Sequence, residues 1–292
     1  MFCKYRIILS VDGAGIKSII PLRILDYLHQ SIIHLDDEID VTSWVDVFSS
    51  LSLSSIFTGA LMLKDENNRT KHTPKQILDF YRKRGTQIFS HNIGLNPENS
   101  TFPLSFTLEH FFGKVNMLDL KNHFLFISYD SKGEILFPFS NTMEKYNNLS
   151  LSKVMHACSA IPNIFPKVKV GQTELSDTLF KIQNPAQMAY DYARLLYPTD
   201  HLILLSIGTG EEINETPLSK STREIDIKLK EQTLVDEKLT YFRFQPKLTK
   251  DFEVGNSAQE KIEELIDLTE DYIFQNRPAF HELIQLMTLR AV

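Results

Sequence analysis

Two apolar runs decide most of what this chain can become. Residues 6–12 (RIILSVD) and 43–48 (SWVDVF) are short and nearly unbroken, and each passes within a few residues into a segment with apolar positions at helical spacing. After the first, Ile20, Ile24, Leu25 and Leu28 mark the stripe; after the second, residues 54–64 (SSIFTGALMLK) carry it. A strand without polar alternation is one buried on both faces, the condition inside a parallel sheet covered by helices. Two consecutive strand–turn–helix units therefore predict an α/β fold with a mostly parallel central sheet flanked by helices in three layers.

The rest of the chain extends that pattern. Thr73 and Pro74 form a helix start, with Gly85 expected at the far end. Residues 123–130 and 134–139 alternate as a strand pair. A helix is expected over 150–160, a strand over 165–170, a helix over 184–198, and a strongly apolar strand over 201–207 that ends in a glycine turn. The charge-rich stretch 221–238 reads as an exposed helical insertion, and two helices over 257–275 and 278–289 follow. The aromatic-rich stretches 88–95 and 105–115 fit core packing, or an acyl channel or membrane-facing lid. No internal repeat or linker divides the chain, so residues 1–292 are expected to form one domain, with a motif-bearing core over about 5–211 and a helical C-terminal extension over about 220–292.

With 292 residues, 42% of them hydrophobic, the chain can bury a large core. A net charge of −6 gives no global basic field, so no nucleic-acid partner is expected. No apolar stretch reaches the roughly 20 residues needed to span a bilayer, and two cysteines, Cys3 and Cys158, make no disulfide framework. The expectation is a soluble cytoplasmic protein, able to associate peripherally with membranes. Cys158, between Ala157 and Ser159, is expected to be a small buried residue.

Chemistry enters at residues 46–61 (DVFSSLSLSSIFTGAL). A strand running through a sharp turn into a helix, with a serine at the apex, is how a nucleophile is held clear of its own strand. The positions two before and two after Ser52 are glycine in that motif; here they are Ser50 and Ser54. Taken alone, Ser52 reads as a loop or capping serine. His201 follows it in the chain order of a hydrolase triad, but it opens its strand, whereas catalytic groups gather at strand carboxyl ends. The loop GAGIKS after the first strand admits a nucleotide-binding reading, although it has neither a third glycine nor a GK[ST] tripeptide.

Five ordered segments resolve these choices. ILSVDGAGIKSIIPLRILDYL, DVFSSLSLSS, ACSAIPNIFPKV, LSDTLFKIQNPA and ILLSIGTGE resemble, in the right sequence, the signature stretches of the patatin-like phospholipase family. The resemblance covers roughly residues 5–211. It implies a lipid acyl hydrolase of phospholipase A or non-specific esterase type, using a serine–aspartate dyad without metal or cofactor. Its partners would be phospholipid or other acyl-lipid substrates at a membrane surface. It places the nucleophile on Ser52 and the base on Asp177. The oxyanion donors fall on the amides of Gly13, Ala14 and Gly15, and substrate contacts on Lys17 and Leu53. Leu51, Leu53 and Leu179 are the apolar neighbours expected to dry the pocket and raise the base's pKa.

The chain departs from the family at Ala14, Ser18, Ser50, Ser54, Ser55, Thr178 and Leu179, all of which replace glycines. Each adds a Cβ where backbone is expected to pass closely, and a non-glycine residue forced to positive φ costs on the order of 1–3 kcal/mol. The alternative is therefore a weakened or inactive relative that keeps the fold as a lipid- or protein-binding scaffold.

Overall fold

The computed structural model describes residues 4–35, 40–89, 101–252 and 259–289. Cys3 and most of the aromatic stretch 88–95 lie outside them. In chain order the elements are β1 (Tyr5–Val11), α1 (Ile19–Ile33), α2 (Val41–Trp44), β2 (Val47–Leu51), α3 (Ser54–Leu61), α4 (Pro74–Phe89), α5 (Thr101–Phe112), β3 (His123–Asp130), β4 (Ile135–Ser140) and α6 (Leu151–Ser159). Then come β5 (Val168–Val170), β6 (Thr173–Ser176), α7 (Ala186–Leu196), β7 (His201–Ile207), α8 (Pro217–Val235), β8 (Leu239–Phe244), α9 (Gln259–Gln275) and α10 (Arg277–Leu289).

The strands form one sheet in the order β5-β6-β3-β2-β1-β7-β8, with β4 on the other edge of β3. The run β3-β2-β1-β7-β8 is parallel; β4, β5 and β6 are antiparallel additions. As the unbroken apolar run requires, β1 is buried on both faces. Ile7, Leu9 and Val11 join the larger core with α1, α3, α6, α9 and α10, while Ile8 packs with Leu202, Leu204, α7 and Leu229 of α8. This is the expected three-layer α/β arrangement.

The crossover helices define a switch in the winding. α1 carries the chain from β1 to β2 over one face, and α8 carries it from β7 to β8 over the other. Between β1 and β7 the strand order therefore reverses direction, and such a point leaves a crevice at the strand carboxyl ends.

Three local expectations change. β2 starts at Val47, not Ser43, because Asp40 caps a one-turn helix by accepting the Ser43 N–H (3.0 Å); the strand runs on instead through the buried Ser49 and Ser50. α4 starts at the Thr73 capping box as expected but continues through Gly85 to Phe89. The stretch after Lys220 is not a helical appendage. α8 is a crossover, β8 is a full member of the central sheet, and the α10 ring of Phe280 stacks on Phe244 of β8 at 4.1 Å. Of the aromatic segment 105–115, Leu108, Phe111 and Phe112 are core residues, whereas Phe106 is exposed. No described helix is long and apolar enough to cross a membrane.

Candidate active site

Strand β3 brings Ser52 and Asp177 together. β2 pairs along one edge of β3 as far as Leu51↔Ile127, with β4 occupying the opposite edge. β6 runs antiparallel on the β2 edge and pairs at Tyr129↔Ser176. The two chains thus arrive head-on with only Ser128 of β3 between their last paired residues, and the next residue of each is Ser52 and Asp177. Ser128 secures the junction: its Oγ lies 2.8 Å from the Ser176 carbonyl and 2.9 Å from that of Ala157. The Asp177 N–H is fixed by the Ala160 carbonyl (2.9 Å).

At the turn, Ser52 has φ +55°, the left-handed conformation that puts a side chain off its strand. The chain then enters α3 through bonds from the Ser55 N–H to the Ser52 carbonyl (3.0 Å) and from the Ile56 N–H to that of Leu53 (3.2 Å). Gly13 lies directly against this turn; a Cβ on it would fall 2.6 Å from Ser52 Cβ and 2.8 Å from the Leu51 carbonyl, so only glycine fits.

Ser52 and Asp177 are 1% and 2% exposed. One carboxylate oxygen, Oδ1, accepts the Leu179 N–H at 2.7 Å. Neither Oδ2 nor Ser52 Oγ makes a hydrogen bond of full geometry with a described residue, yet the hydroxyl is near enough to act on the carboxyl. Burial pushes Asp177 up to about 7, against the smaller lowering effects of the Ser52 hydroxyl and the Leu179 amide. A hydroxyl beside a carboxylate of that basicity is the arrangement that nucleophile–base chemistry requires.

The glycine replacements carry no backbone strain. Among the described residues, Ser52, Asn68, Glu134 and Asn163 alone combine a side chain with positive φ, so Ala14, Ser18, Ser50, Ser54, Ser55 and Thr178 do not. The four serine hydroxyls instead pair off, whereas Thr178 Oγ1 is buried without a partner among the described residues. Ser54 Oγ donates to the Asp12 carbonyl (2.6 Å) and contacts Ser18 Oγ (2.8 Å), and Ser50 Oγ contacts Ser55 Oγ (3.3 Å). Two of the lost glycines thus compensate each other across the elbow and the loop. Restoring glycine at 54 is therefore expected to lower stability by about 1–2 kcal/mol, since a buried hydrogen bond goes and chain entropy rises. Ser52→Gly should be neutral or stabilising, because it relieves the left-handed φ. Urea unfolding of the two variants checks the ordering; a stabilised Ser54→Gly would mean that the serine is strained after all.

The loop after β1 supplies amides. Ala14 (φ −161°) caps and Gly15 (φ +56°) opens a short 3₁₀ turn leading into α1, and their N–H groups have no hydrogen-bond partner among the described residues. Gly13 differs: its N–H donates to the Gln183 carbonyl (3.1 Å) and is not free for an oxyanion. Lys17 is neither solvated nor open to a ligand, because its ammonium is buried and pairs with Glu212 at 2.8 Å. Leu53, assigned to a substrate contact by the resemblance, and Leu179 are both buried and both belong to the main core. Cys158 is buried under the pair, near Ser55 and Asp177, with its thiol pushed up by burial, so it stays protonated.

His201 is excluded as a third member. It pairs with Tyr5 at the start of β1, the opposite end of the sheet from Ser52, and its Nε2 bonds Thr240 Oγ1 at 2.8 Å.

Sequence reasoning missed Arg243 of β8. Its guanidinium crosses β7, touches Ser206 Oγ (2.8 Å) and clamps the Asp12 carboxylate through two bonds of 2.9 and 2.6 Å. Both side chains are almost fully buried. Burial pushes the Asp12 carboxyl up while Arg243 draws it back, and the guanidinium is held firmly protonated. The signal was present: an arginine between aromatics in the alternating run LTYFRF requires a buried partner.

No protein-family model matches the chain. Among curated proteins it is similar to Patatin-17 of Solanum cardiophyllum, 26% identical over an alignment of 243 residues that covers 73% of this chain and 63% of that protein. It is 28% identical to Patatin-05 of Solanum tuberosum over 246 residues, 74% of this chain and 64% of that one. The matched region thus spans less than two thirds of either relative. Among solved structures, human GIVD cytosolic phospholipase A2 superposes with a TM-score of 0.55 at 12% identity, covering 98% of this chain and 59% of that one. A second structure of the same enzyme gives 0.54 at 9% identity, covering 99% and 63%. The α/β layers, the sheet and these matches agree that the chain has a patatin-like fold and is a distant homologue of the patatins.

Proposed function

We propose that the chain is a serine-dependent lipid acyl hydrolase. The observation that carries this reading is the meeting of a left-handed serine, Ser52, with a buried carboxyl raised to about 7, Asp177. In the reaction, Ser52 Oγ attacks the ester carbonyl carbon as Asp177 Oδ2 takes the hydroxyl proton. The tetrahedral oxyanion is received by the free amides of Ala14 and Gly15, which take the role expected of the whole Gly13–Gly15 turn. Asp177 returns the proton to the departing alcohol, leaving an acyl group on Ser52. Water, deprotonated by the same carboxylate, then releases the fatty acid. The base must be ionised, so kcat/KM should rise with pH through about 7 and level off above it.

The homology to patatins and the likeness to a phospholipase A2 support acyl-lipid esters as the substrate class. With no membrane-crossing helix among the described residues, the protein would meet such lipids from the aqueous side of a surface. Since Ser52 and Asp177 are nearly closed off, an ester gains access only if neighbouring side chains shift.

A fluorophosphonate ester tests the assignment, a class of reagent present in one of the similar structures. Peptide mapping after labelling should find the adduct on Ser52, with none in Ser52→Ala, and p-nitrophenyl ester hydrolysis should stop as labelling completes. Hydrolysis that continues after full labelling removes Ser52 as nucleophile. A protein that neither labels nor hydrolyses any ester is the non-catalytic scaffold.

A further inference from the structure

We propose a second ligand site, a cavity of about 140 Å³ at the carboxyl ends of β1, β7 and β8, that takes a small molecule bearing a primary ammonium and a hydroxyl group, an amino alcohol of ethanolamine's size. The position is the one where the winding of the sheet reverses between β1 and β7, where the diverging loops leave a crevice.

The ligand class follows from what the wall leaves unpaired. Asp12, Glu211, Glu212 and Asp226 face the cavity together with Arg243 and Thr222. Three of the carboxylates already have cations: Asp12 has Arg243, Glu212 has Lys17 at 2.8 Å, and Asp226 has Lys230 at 2.7 Å. The Glu211 carboxylate has no hydrogen-bond or ion-pair partner among the described residues, its backbone being paired with Pro246 and Leu248. Thr222 is 9% exposed, and its buried Oγ1 likewise has none. The wall therefore lacks a cationic N–H donor at one point and a hydroxyl at another, and an amino alcohol supplies both.

Other classes fit less well. Phosphate would meet four carboxylates, while the lining Arg243 and Arg223 are already bound to Asp12 and Glu215. A quaternary ammonium has no N–H and is held by aromatic faces, and none line this cavity. No group of three or more His, Cys, Asp or Glu side chains among the described residues is arranged to hold a metal ion.

The cavity also touches the candidate active site through one residue. Asp12 offers its carboxylate to the cavity wall and its carbonyl to Ser54 of the elbow, and the neighbouring Gly13 N–H is held by the carbonyl of Gln183, another wall residue. The same amine recognition would serve a free amino alcohol or the headgroup of an amine-bearing phospholipid; only the second rests on the hydrolase reading.

The test uses the full chain as Ser52→Ala, so that binding is read without turnover. Ethanolamine followed by calorimetry or NMR titration should bind saturably at about millimolar Kd, as suits so few atoms. Glu211→Gln should weaken it by about tenfold, Thr222→Val by several-fold, and choline should bind at least about tenfold more weakly. Absence of saturation, indifference to both substitutions, or equal binding of choline each overturns the site. Sedimentation with phosphatidylethanolamine against phosphatidylcholine vesicles then separates the sources. A preference for the former that free ethanolamine and Glu211→Gln both erase assigns a lipid headgroup. Free binding without vesicle preference assigns a soluble amine. Failed ester hydrolysis alongside intact ethanolamine binding would refute the hydrolase reading and leave this site standing.

Discussion

Asp177→Asn is expected to lose ester hydrolysis by about a thousandfold or more while making the folded protein more stable at pH 8. Both effects have one cause. In the native state burial holds the Asp177 pKa near 7, against an ordinary value of 3.8. The folded protein therefore keeps this proton over a pH range in which the unfolded chain has released it. Stability from this group is full below about pH 4, falls as pH rises towards 7, and is lost above that. At about 1.4 kcal/mol per pKa unit, the loss reaches up to about 4 kcal/mol. Asparagine is neutral at every pH and keeps an oxygen for the Leu179 amide, so it escapes the loss. Urea unfolding at pH 4, 6 and 8 should show wild type and variant close together at pH 4 and diverging in favour of the variant by pH 8. A variant less stable than wild type at pH 8 would mean that Asp177 is comfortably ionised in the fold, and the base assignment would fall with that result.

How much of this could be read from the chain alone depends on whether the information was local. β1 was legible because burial on both faces leaves an unbroken apolar run, and α4's start because Thr73 and Gln76 cap each other within four residues. β2 was placed too early because its later half holds Ser49 and Ser50, which are fully buried yet break the apolar run. The meeting of Ser52 with Asp177 could only be borrowed from a resemblance. Its physical origin is the register of β2 and β6 against β3, with one residue left between them, and no local pattern encodes a pairing across that distance. The lost glycines misled in a different way. Sequence shows which residue stands at a position but not its φ, and the serines proved to be hydrogen-bonded in negative-φ backbone. Lys17, expected at a substrate, is spent on Glu212, a loop residue whose arrival depends on β7.

Arg243→Met is expected to destabilise the protein by about 3–5 kcal/mol, a large part of the 5–15 kcal/mol typical of a whole domain. The substitution removes one hydrophobic-length side chain and replaces it with another, so packing is not the main loss. Its cost is the Asp12 carboxylate, 2% exposed, left in the interior without its cation. Asp12→Asn in the Arg243→Met background should restore most of the stability, because an isolated buried charge costs more than the absence of the pair. Unfolding of the wild type, both single variants and the double variant closes the cycle, with a coupling of about 2 kcal/mol or more expected. A single variant that loses under about 1 kcal/mol would show that Asp12 is neutral and the clamp incidental. The pair also corrects where the functional unit ends. The segments that resemble patatin-like proteins stop near residue 211, yet the carboxylate that opens the Gly13–Gly15 loop is neutralised from β8, some thirty residues later. Since the Asp12 carbonyl also receives Ser54, the edge strand supports this loop and the Ser52 turn together. The C-terminal third is thus part of the structure that sets the site, and the motif-bearing stretch without it would bury a charge it cannot balance.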